Sequence, residues 1–181
     1  VRAKDGGKVK SIDAASKTVH FEAGTIQADV LNVIAPMRAG KIAQQLGLTD
    51  DKGWCPVNLT DFASNHFKDV YVLGDATHGG MAPKSGYSAN SQAKVTAMAV
   101  VDALAGKEPN ENPVWENTCY ALAGSDYGLF VADVFRLKEG NVMYRVNPDR
   151  YPSLQQTPAQ IRLGAAYQQA WMRSFTQDCF A

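Results

Sequence analysis

Three short segments carry residue types that could do chemistry, and the most specific one follows a predicted strand. Gly74 and Asp75 come directly after the apolar run 70–73. Glycine lets a ligand approach the backbone, and a carboxylate accepts hydrogen bonds from sugar hydroxyls. Because Gly-Asp after a strand is also a common turn, the pair indicates a binding site only together with the residues that follow it.

The second segment, 81–90, opens the strongest predicted helix and is rich in small residues. A helix N-terminus offers unpaired N–H groups and the positive end of the helix dipole, which suit an electron-rich ligand oxygen. Lys84 either adds a full positive charge at this position or is a solvated surface lysine.

Cys55, which is followed by Pro56, is the third candidate. From composition alone, a lone cysteine of this kind is more often an inert buried side chain than a reactive thiol. Cys119 and Cys179 are either paired with each other in an oxidising compartment or free thiols. The three histidines lack the close spacing of a zinc site, so no metal site is predicted.

The elements that must position these residues follow from hydrophobic patterning. Alternation over 8–22 predicts a β-hairpin. The β-branched runs 28–34 and 67–73 predict strands buried on both faces, as in a parallel sheet. Residues 37–47 predict a short helix, and 48–66 predict a loop.

The strongest helix pattern covers 88–105, and Gly106 is a natural C-terminal stop. An apolar stripe at near-helical spacing predicts the face that packs on the core: Ala89, Val95, Met98, Val101 and Leu104.

The last third of the chain predicts a separate pair of strands and a helix. Residues 107–113 contain two prolines and mark a candidate boundary. Residues 127–135 and 141–146 could pair with each other. Thr157 predicts the cap of a final helix, and Gln160 completes a capping box.

Composition excludes several functional classes. The 181 residues are 45% apolar and 20% charged, which is typical of a globular protein. Eighteen basic and eighteen acidic residues give no net charge, which argues against nucleic-acid binding. The sequence has no apolar run long enough for a membrane span, and residues 1–7 lack the apolar run typical of a secretory signal. We expect a chain that is mature, processed or part of something longer.

These motifs resemble a known family. Residues 72–75 resemble the second FAD motif of flavoproteins with two dinucleotide-binding domains, the glutathione-reductase-like class. The longer run from Tyr71 to Lys94 is similar to the flavoprotein subunit of flavocytochrome c sulfide dehydrogenase. Further segments share this similarity: 30–36, 39–40, 54–58 and 115–120.

The resemblance implies an α/β fold, α+β overall. It corresponds to the C-terminal part of a two-dinucleotide-binding-domain FAD flavoprotein plus an α+β interface domain. Residues 1–36 would end the second nucleotide-binding-like domain, 37–106 would belong to the FAD-binding domain, and 107–181 would form the interface domain. The sequence has no Gly-x-Gly-x-x-Gly unit to cradle a pyrophosphate. The resemblance therefore implies that the remainder of the flavoprotein chain supplies it.

The resemblance also implies roles for individual residues. Gly74 and Asp75 would bind the ribityl chain of FAD. The helix start, formed by Lys84, Ser85, Gly86 and Tyr87, would face the pyrimidine edge of the flavin. Cys55 would be the catalytic half of a redox-active disulfide whose other cysteine lies upstream in the family.

The implied activity is oxidation of sulfide, with electrons leaving to a c-type cytochrome subunit in the periplasm. The chain has no Cys-x-x-Cys-His motif, so haem c would belong to that partner. Two alternatives stay open. One is a sulfide:quinone or NADH oxidoreductase, and the other is a non-catalytic module that docks a cytochrome.

Overall fold

The computed structural model describes residues 5–34, 36–139, 141–147 and 156–180. The chain divides into two compact units, one of residues 1–37 and one of residues 38–181. Both contain antiparallel sheet, and the second also contains the helices, so the fold is α+β.

The first unit is a three-stranded antiparallel sheet in the order β1-β2-β3. Its strands are β1 (Val9–Asp13), β2 (Thr18–Phe21) and β3 (Gly24–Gln27). The predicted hairpin is confirmed by the β1–β2 pairing, and β3 is an additional strand. Asp13 stabilises the β1–β2 turn, since its carboxylate accepts hydrogen bonds from Ala15 N–H and Ser16 Oγ.

The prediction of a buried strand at 28–34 is wrong. These residues form no strand, and the side chains of Val30 and Ile34 are 86% and 87% exposed. A β-branched run becomes a buried strand only where neighbouring strands pair with it and cover it. None of the described strands pairs with this run.

The second unit begins with a short helix and a long loop region. The predicted helix at 37–47 is confirmed as α1 (Lys41–Gln45), which is followed by Gly47 in the left-handed conformation. The prediction of a strand at 67–73 is wrong, because a single bridge between Ala63 and Tyr71 is its only β pairing among the described residues. Val72 nevertheless packs against the core, so the apolar pattern indicated burial rather than sheet.

The predicted central helix is α2 (Gly86–Leu104), and Gly106 follows it with φ +68°. The predicted packing face is wrong for the C-terminal half of the helix, where Met98, Val101 and Leu104 are exposed. The buried positions of α2 are mostly polar: Ser88, Gln92, Thr96 and Ala99. A hydrogen bond from the Gly74 amide, described below, explains why the Gln92 side chain lies inside.

The C-terminal sheet contains β4 (Val114–Gly124), β5 (Tyr127–Lys138) and β6 (Val142–Arg145), with β5 central. The predicted pairing of 127–135 with 141–146 is confirmed, although Gly140 in the connection lies outside the described residues. Sequence analysis did not predict β4. The core packs one face of this sheet against the loop region through Trp115, Phe135, Met143, Val57, Leu59 and Phe62.

Helix α3 (Pro158–Phe180) crosses the sheet and confirms the predicted last helix. Its capping box forms as predicted: the Gln160 amide donates to Thr157 Oγ1, and the Thr157 amide donates to Gln160 Oε1. Helix and strand approach closely at Gly128 and Gly164, where a Cβ on Gly128 would overlap the α3 backbone. None of the helices that the structure describes has the length and apolar character needed to cross a membrane.

We expect Thr157→Ala to lower the free energy of unfolding by about 0.5–2 kcal/mol, because it removes the side-chain cap of α3. Urea denaturation of the chain measures this change. Thr176→Ala, which removes a hydroxyl bonded to Met172 O inside the same helix, is the control and should change stability by less than about 0.5 kcal/mol. Equal effects of the two substitutions would contradict a specific role for the capping box.

Candidate functional site

The Gly74–Asp75 motif forms a tight turn of 3-10 helix, Gly74–Ala76. Gly74 has φ +73°, and a Cβ at this position would lie 3.3 Å from the Cβ of Ala89 on α2. The Gly74 N–H donates to Gln92 Oε1 at 2.7 Å, and Thr77 Oγ1 donates to the Gly74 carbonyl at 2.9 Å. The turn is therefore held against α2 in a conformation that favours glycine.

Asp75 is exposed, and its carboxylate accepts no hydrogen bond from any residue that the structure describes. The carboxylate of Asp50, which lies nearby, instead accepts hydrogen bonds from the Lys52 and Trp54 amides and contacts His78. A carboxylate held on a rigid turn with free acceptor positions is suited to bind ligand hydroxyl groups.

Cys55 lies beside the same turn and is a fully buried free thiol. Its backbone forms a parallel bridge with Thr77: the Cys55 N–H donates to Ala76 O, and the Cys55 carbonyl accepts from the His78 N–H. Burial raises the pKa of the Cys55 thiol, the Asp50 carboxylate raises it further, and the Lys84 ammonium opposes them.

Lys84 connects the segments of the site. Its ammonium donates to the carbonyl oxygens of Asp75 and Thr77, each at 2.7 Å, and lies 3.8 Å from the centroid of the Trp54 ring. Burial lowers the pKa of Lys84, and the negative groups of Asp75 and Cys55 act in the opposite direction. Lys84 is therefore bound by the turn and is not a freely solvated surface lysine.

The remaining predicted residues lie at the start of α2 but differ in their contacts. Ser85 is the N-cap, with its Oγ accepting from the Ser88 N–H at 3.1 Å. Gly86 is the first helical residue and is exposed. The Tyr87 ring stacks on Trp171 of α3, with centroids 5.3 Å apart and planes 13° apart. The Tyr87 side chain thus faces a groove between α2 and α3 rather than the turn.

The structure therefore brings Cys55, Asp75 and Lys84 together around one turn. Gly74 begins this turn, and Ser85 caps the helix against which the turn is held. A cleft of about 240 Å³ opens beside them, and Trp54, His78 and Lys84 contribute to its lining. Ligand pockets usually measure about 300–1,000 Å³, so this cleft is smaller than a typical ligand site.

Sequence analysis missed the pairing of Asp50 with His78. His78 Nε2 lies 2.7 Å from Asp50 Oδ2, while Asp50 Oδ1 accepts from the Lys52 and Trp54 amides. The run Asp-Asp-Lys-Gly at 50–53 signals a turn closed by an aspartate. No signal in the sequence links that turn to a histidine 28 residues later.

Aromatic rings connect the start of α2 with the C-terminal sheet. Trp171 stacks on Phe175 as well as on Tyr87, and it contacts Tyr120 of β4 with centroids 5.9 Å apart. Trp115, by contrast, is fully buried and packs edge-on against Phe62. Tyr120 and Trp171 therefore lie between the sheet and α3, whereas Trp115 belongs to the core.

The described residues bring no three His, Cys, Asp or Glu side chains close enough together to hold a metal ion. Cys119 and Cys179 are both exposed free thiols, which answers the question of their pairing that the sequence left open.

We expect Asp50→Asn to destabilise the chain near neutral pH. Hydrogen bonds from the Trp54 amide and then from His78 hold the pKa of Asp50 below its ordinary value of 3.8. A lowered folded-state pKa stabilises the protein above the unfolded-state pKa, and this stabilisation is lost as the pH falls through the folded-state value. The difference from wild type should therefore shrink below about pH 4.

Urea denaturation of the wild-type and variant chains between pH 3 and pH 8 measures this difference. Asp51→Asn, at the neighbouring position, is the matched control and should leave the pH profile unchanged. A constant difference between Asp50→Asn and wild type across this range would contradict a stabilising charged contact at Asp50.

Comparison with known proteins gives a family match for the C-terminal segment. Residues 111–180 match the family model described as flavocytochrome c sulphide dehydrogenase, flavin-binding. The resemblance indicated by the sequence motifs is thereby confirmed over this segment. The match supports a flavoprotein role within a family of flavin-dependent oxidoreductases.

A solved structure has a similar fold. It is a chain in the cryo-EM structure of the Tetrahymena thermophila mitochondrial ATP synthase, with a TM-score of 0.62 and 18% sequence identity. The match covers 93% of the present chain and 39% of that chain, so the present chain spans about two fifths of its length. At this identity the likeness concerns the fold and carries no function.

Proposed function

We propose that this chain forms the C-terminal part of an FAD-dependent sulfide dehydrogenase that passes electrons to a c-type cytochrome subunit. The observation that carries the proposal is the meeting of Cys55, Asp75 and Lys84 around one rigid turn. The family match at 111–180 supports a flavin as the cofactor.

The residues around the turn fit part of an FAD molecule. The Asp75 carboxylate, which accepts no hydrogen bond from the described residues, suits the hydroxyls of the ribityl chain, and Gly74 gives the turn the conformation that presents this carboxylate. Ser88 Oγ is buried without a hydrogen-bond partner among the described residues and lines the space between the turn and α2. A buried hydroxyl at this position could bond to a polar group of the bound FAD, since such atoms are normally paired.

The cleft is too small to enclose a dinucleotide, and the Gly-x-Gly-x-x-Gly cradle for the pyrophosphate is not in the sequence. In this proposal the remainder of the flavoprotein chain supplies that cradle and the opposite wall. When bound, FAD would accept two electrons. The N-terminal end of α2, from Lys84 to Tyr87, would stabilise negative charge on the pyrimidine edge.

Cys55 would take part in the reaction as half of a disulfide. Its thiol is closed to solvent, so in this proposal sulfide attacks the sulfur of the partner cysteine. The sulfide sulfur forms a new S–S bond with that partner, the old S–S bond breaks, and Cys55 leaves as a thiolate with the bonding pair. The Lys84 ammonium, which favours the ionised form of Cys55, would stabilise this leaving group.

The proposed electron acceptor is a cytochrome subunit carrying haem c, in the periplasm. The stacked rings of Tyr87 and Trp171 extend from the start of α2 toward the C-terminal sheet. Polarisable side chains in contact with one another support the proposal that electrons leave the flavin through this part of the chain.

We expect Asp75→Ala to weaken the hold of the complete subunit on its flavin, because a ribityl hydroxyl loses its acceptor at a cost of roughly 1–3 kcal/mol. When the subunit is heated, the temperature at which flavin fluorescence appears should fall. This measurement applies whether or not the flavin is covalently attached to the protein. Asp126→Ala, in the β4–β5 turn, is the control and should leave that temperature unchanged. An unchanged temperature in Asp75→Ala would remove Asp75 from the proposed site.

We expect Cys55→Ser to reduce sulfide oxidation by the complete subunit by at least about 100-fold, because a hydroxyl cannot form the disulfide that sulfide attacks. Flavin reduction by sulfide, followed by absorbance in a stopped-flow instrument, measures the loss. Reduction by dithionite should be unchanged, since it bypasses the cysteine.

Cys119→Ser and Cys179→Ser change exposed free thiols and are the matched controls for this experiment. Turnover of sulfide by Cys55→Ser at the wild-type rate would contradict the disulfide mechanism. Sulfide-dependent reduction of a quinone in place of a c-type cytochrome by the wild-type subunit would favour the alternative activity.

A further inference from the structure

Asn117 is a fully buried polar side chain on β4. Its Oδ1 accepts a hydrogen bond from Ser85 Oγ at 2.6 Å, and its Nδ2 donates to Cys119 Sγ at 3.3 Å. A buried amide is costly unless it is hydrogen-bonded, so its short bond to Ser85 fixes the distance between strand and helix.

Ser85 transmits this contact to the helix. Its hydroxyl donates to Asn117 and at the same time accepts from the Ser88 N–H as the N-cap of α2. A hydroxyl has a single proton, and Asn117 Oδ1 can only accept. The bond to Asn117 therefore turns the oxygen lone pairs of Ser85 toward the first turn of α2.

The first turns of α2 in turn position the Gly74–Asp75 motif. Gln92 accepts from the Gly74 amide, and the buried Ser88 hydroxyl, which has no partner in the described parts of the chain, lines the same space. A second contact from β4 lies close by, since the Glu116 N–H donates to Ser91 Oγ at 3.0 Å. Strand β4 thus holds the N-terminal part of α2, which in turn positions the Gly74–Asp75 motif.

We propose that Asn117 is a positioning residue for the cofactor site, acting through Ser85 on the first turn of α2. The expected effect on the flavin rests on the proposed function, because the flavin is the ligand that the residues positioned by Asn117 would surround. Its structural premise is independent of the flavin and is tested on the 181-residue chain itself.

Amide hydrogen exchange at Ser88 tests that premise. We expect Asn117→Ala and Ser85→Ala each to speed exchange at Ser88 by about fivefold, the factor that one net hydrogen bond contributes. Adding Asn117→Ala to Ser85→Ala should produce no further change, because Asn117 acts through the Ser85 hydroxyl.

Asn90→Ala is the matched control for this experiment. Asn90 also lies on α2 and bonds to another element, through Asp178 of α3, but it is not part of the cap. Unchanged Ser88 exchange in Asn117→Ala, or an equal further increase in the double variant, would overturn the inference whatever the function of the protein.

The consequence is tested on the complete subunit by potentiometric titration of its flavin. Asn117→Ala should lower the equilibrium constant for two-electron reduction of the flavin about tenfold, which lowers its reduction potential by about 30 mV. Asn90→Ala should leave the potential unchanged. A wild-type subunit without flavin would contradict the proposed function, whereas flavin with the same potential in Asn117→Ala would overturn the inference alone.

Discussion

The pairing of the backbone polar groups in the turn at 74–77 is the constraint on which the candidate site depends. Three residues outside the turn satisfy four of these groups. Gln92 accepts from the Gly74 N–H, Cys55 donates to the Ala76 carbonyl, and Lys84 donates to the carbonyls of Asp75 and Thr77. Because polar groups withdrawn from water must be paired, these bonds hold the Cys55 loop, the turn and α2 together. The positions of the candidate residues follow from this pairing.

Sequence predicted the features that local rules control. The β1–β2 hairpin, the capping box at Thr157 and Gln160, and the glycine stop after α2 each depend on residues only a few positions apart. The Gly74–Asp75 turn was located for the same reason. The Asp50–His78 pair and the Ser85–Asn117 bond join residues 28 and 32 positions apart, and propensity and periodicity contain no information on such pairs.

The wrong predictions have a common physical origin. The runs 28–34 and 67–73 are apolar and β-branched, which indicates a preference for burial in a sheet but does not supply the neighbouring strand. On α2 the apolar stripe predicts the packing face, yet the polar Gln92 lies inside because it accepts a hydrogen bond from the turn. Hydrophobic periodicity locates a packing face only where the buried side chains are apolar and none is needed to hydrogen-bond to a neighbouring segment.

The family match and the predicted cofactor contacts fall on different parts of the chain, and the structure explains how they are connected. The match covers 111–180, whereas the predicted contacts lie at 74–87. The Ser85–Asn117 bond and the Tyr87–Trp171 stack tie the start of α2 to β4 and α3. Ligand-binding groups work only when the shell behind them fixes their geometry. A sheet and a helix with no predicted flavin contact can therefore belong to a flavin-binding domain, because they hold the helix whose first residues would face the ligand.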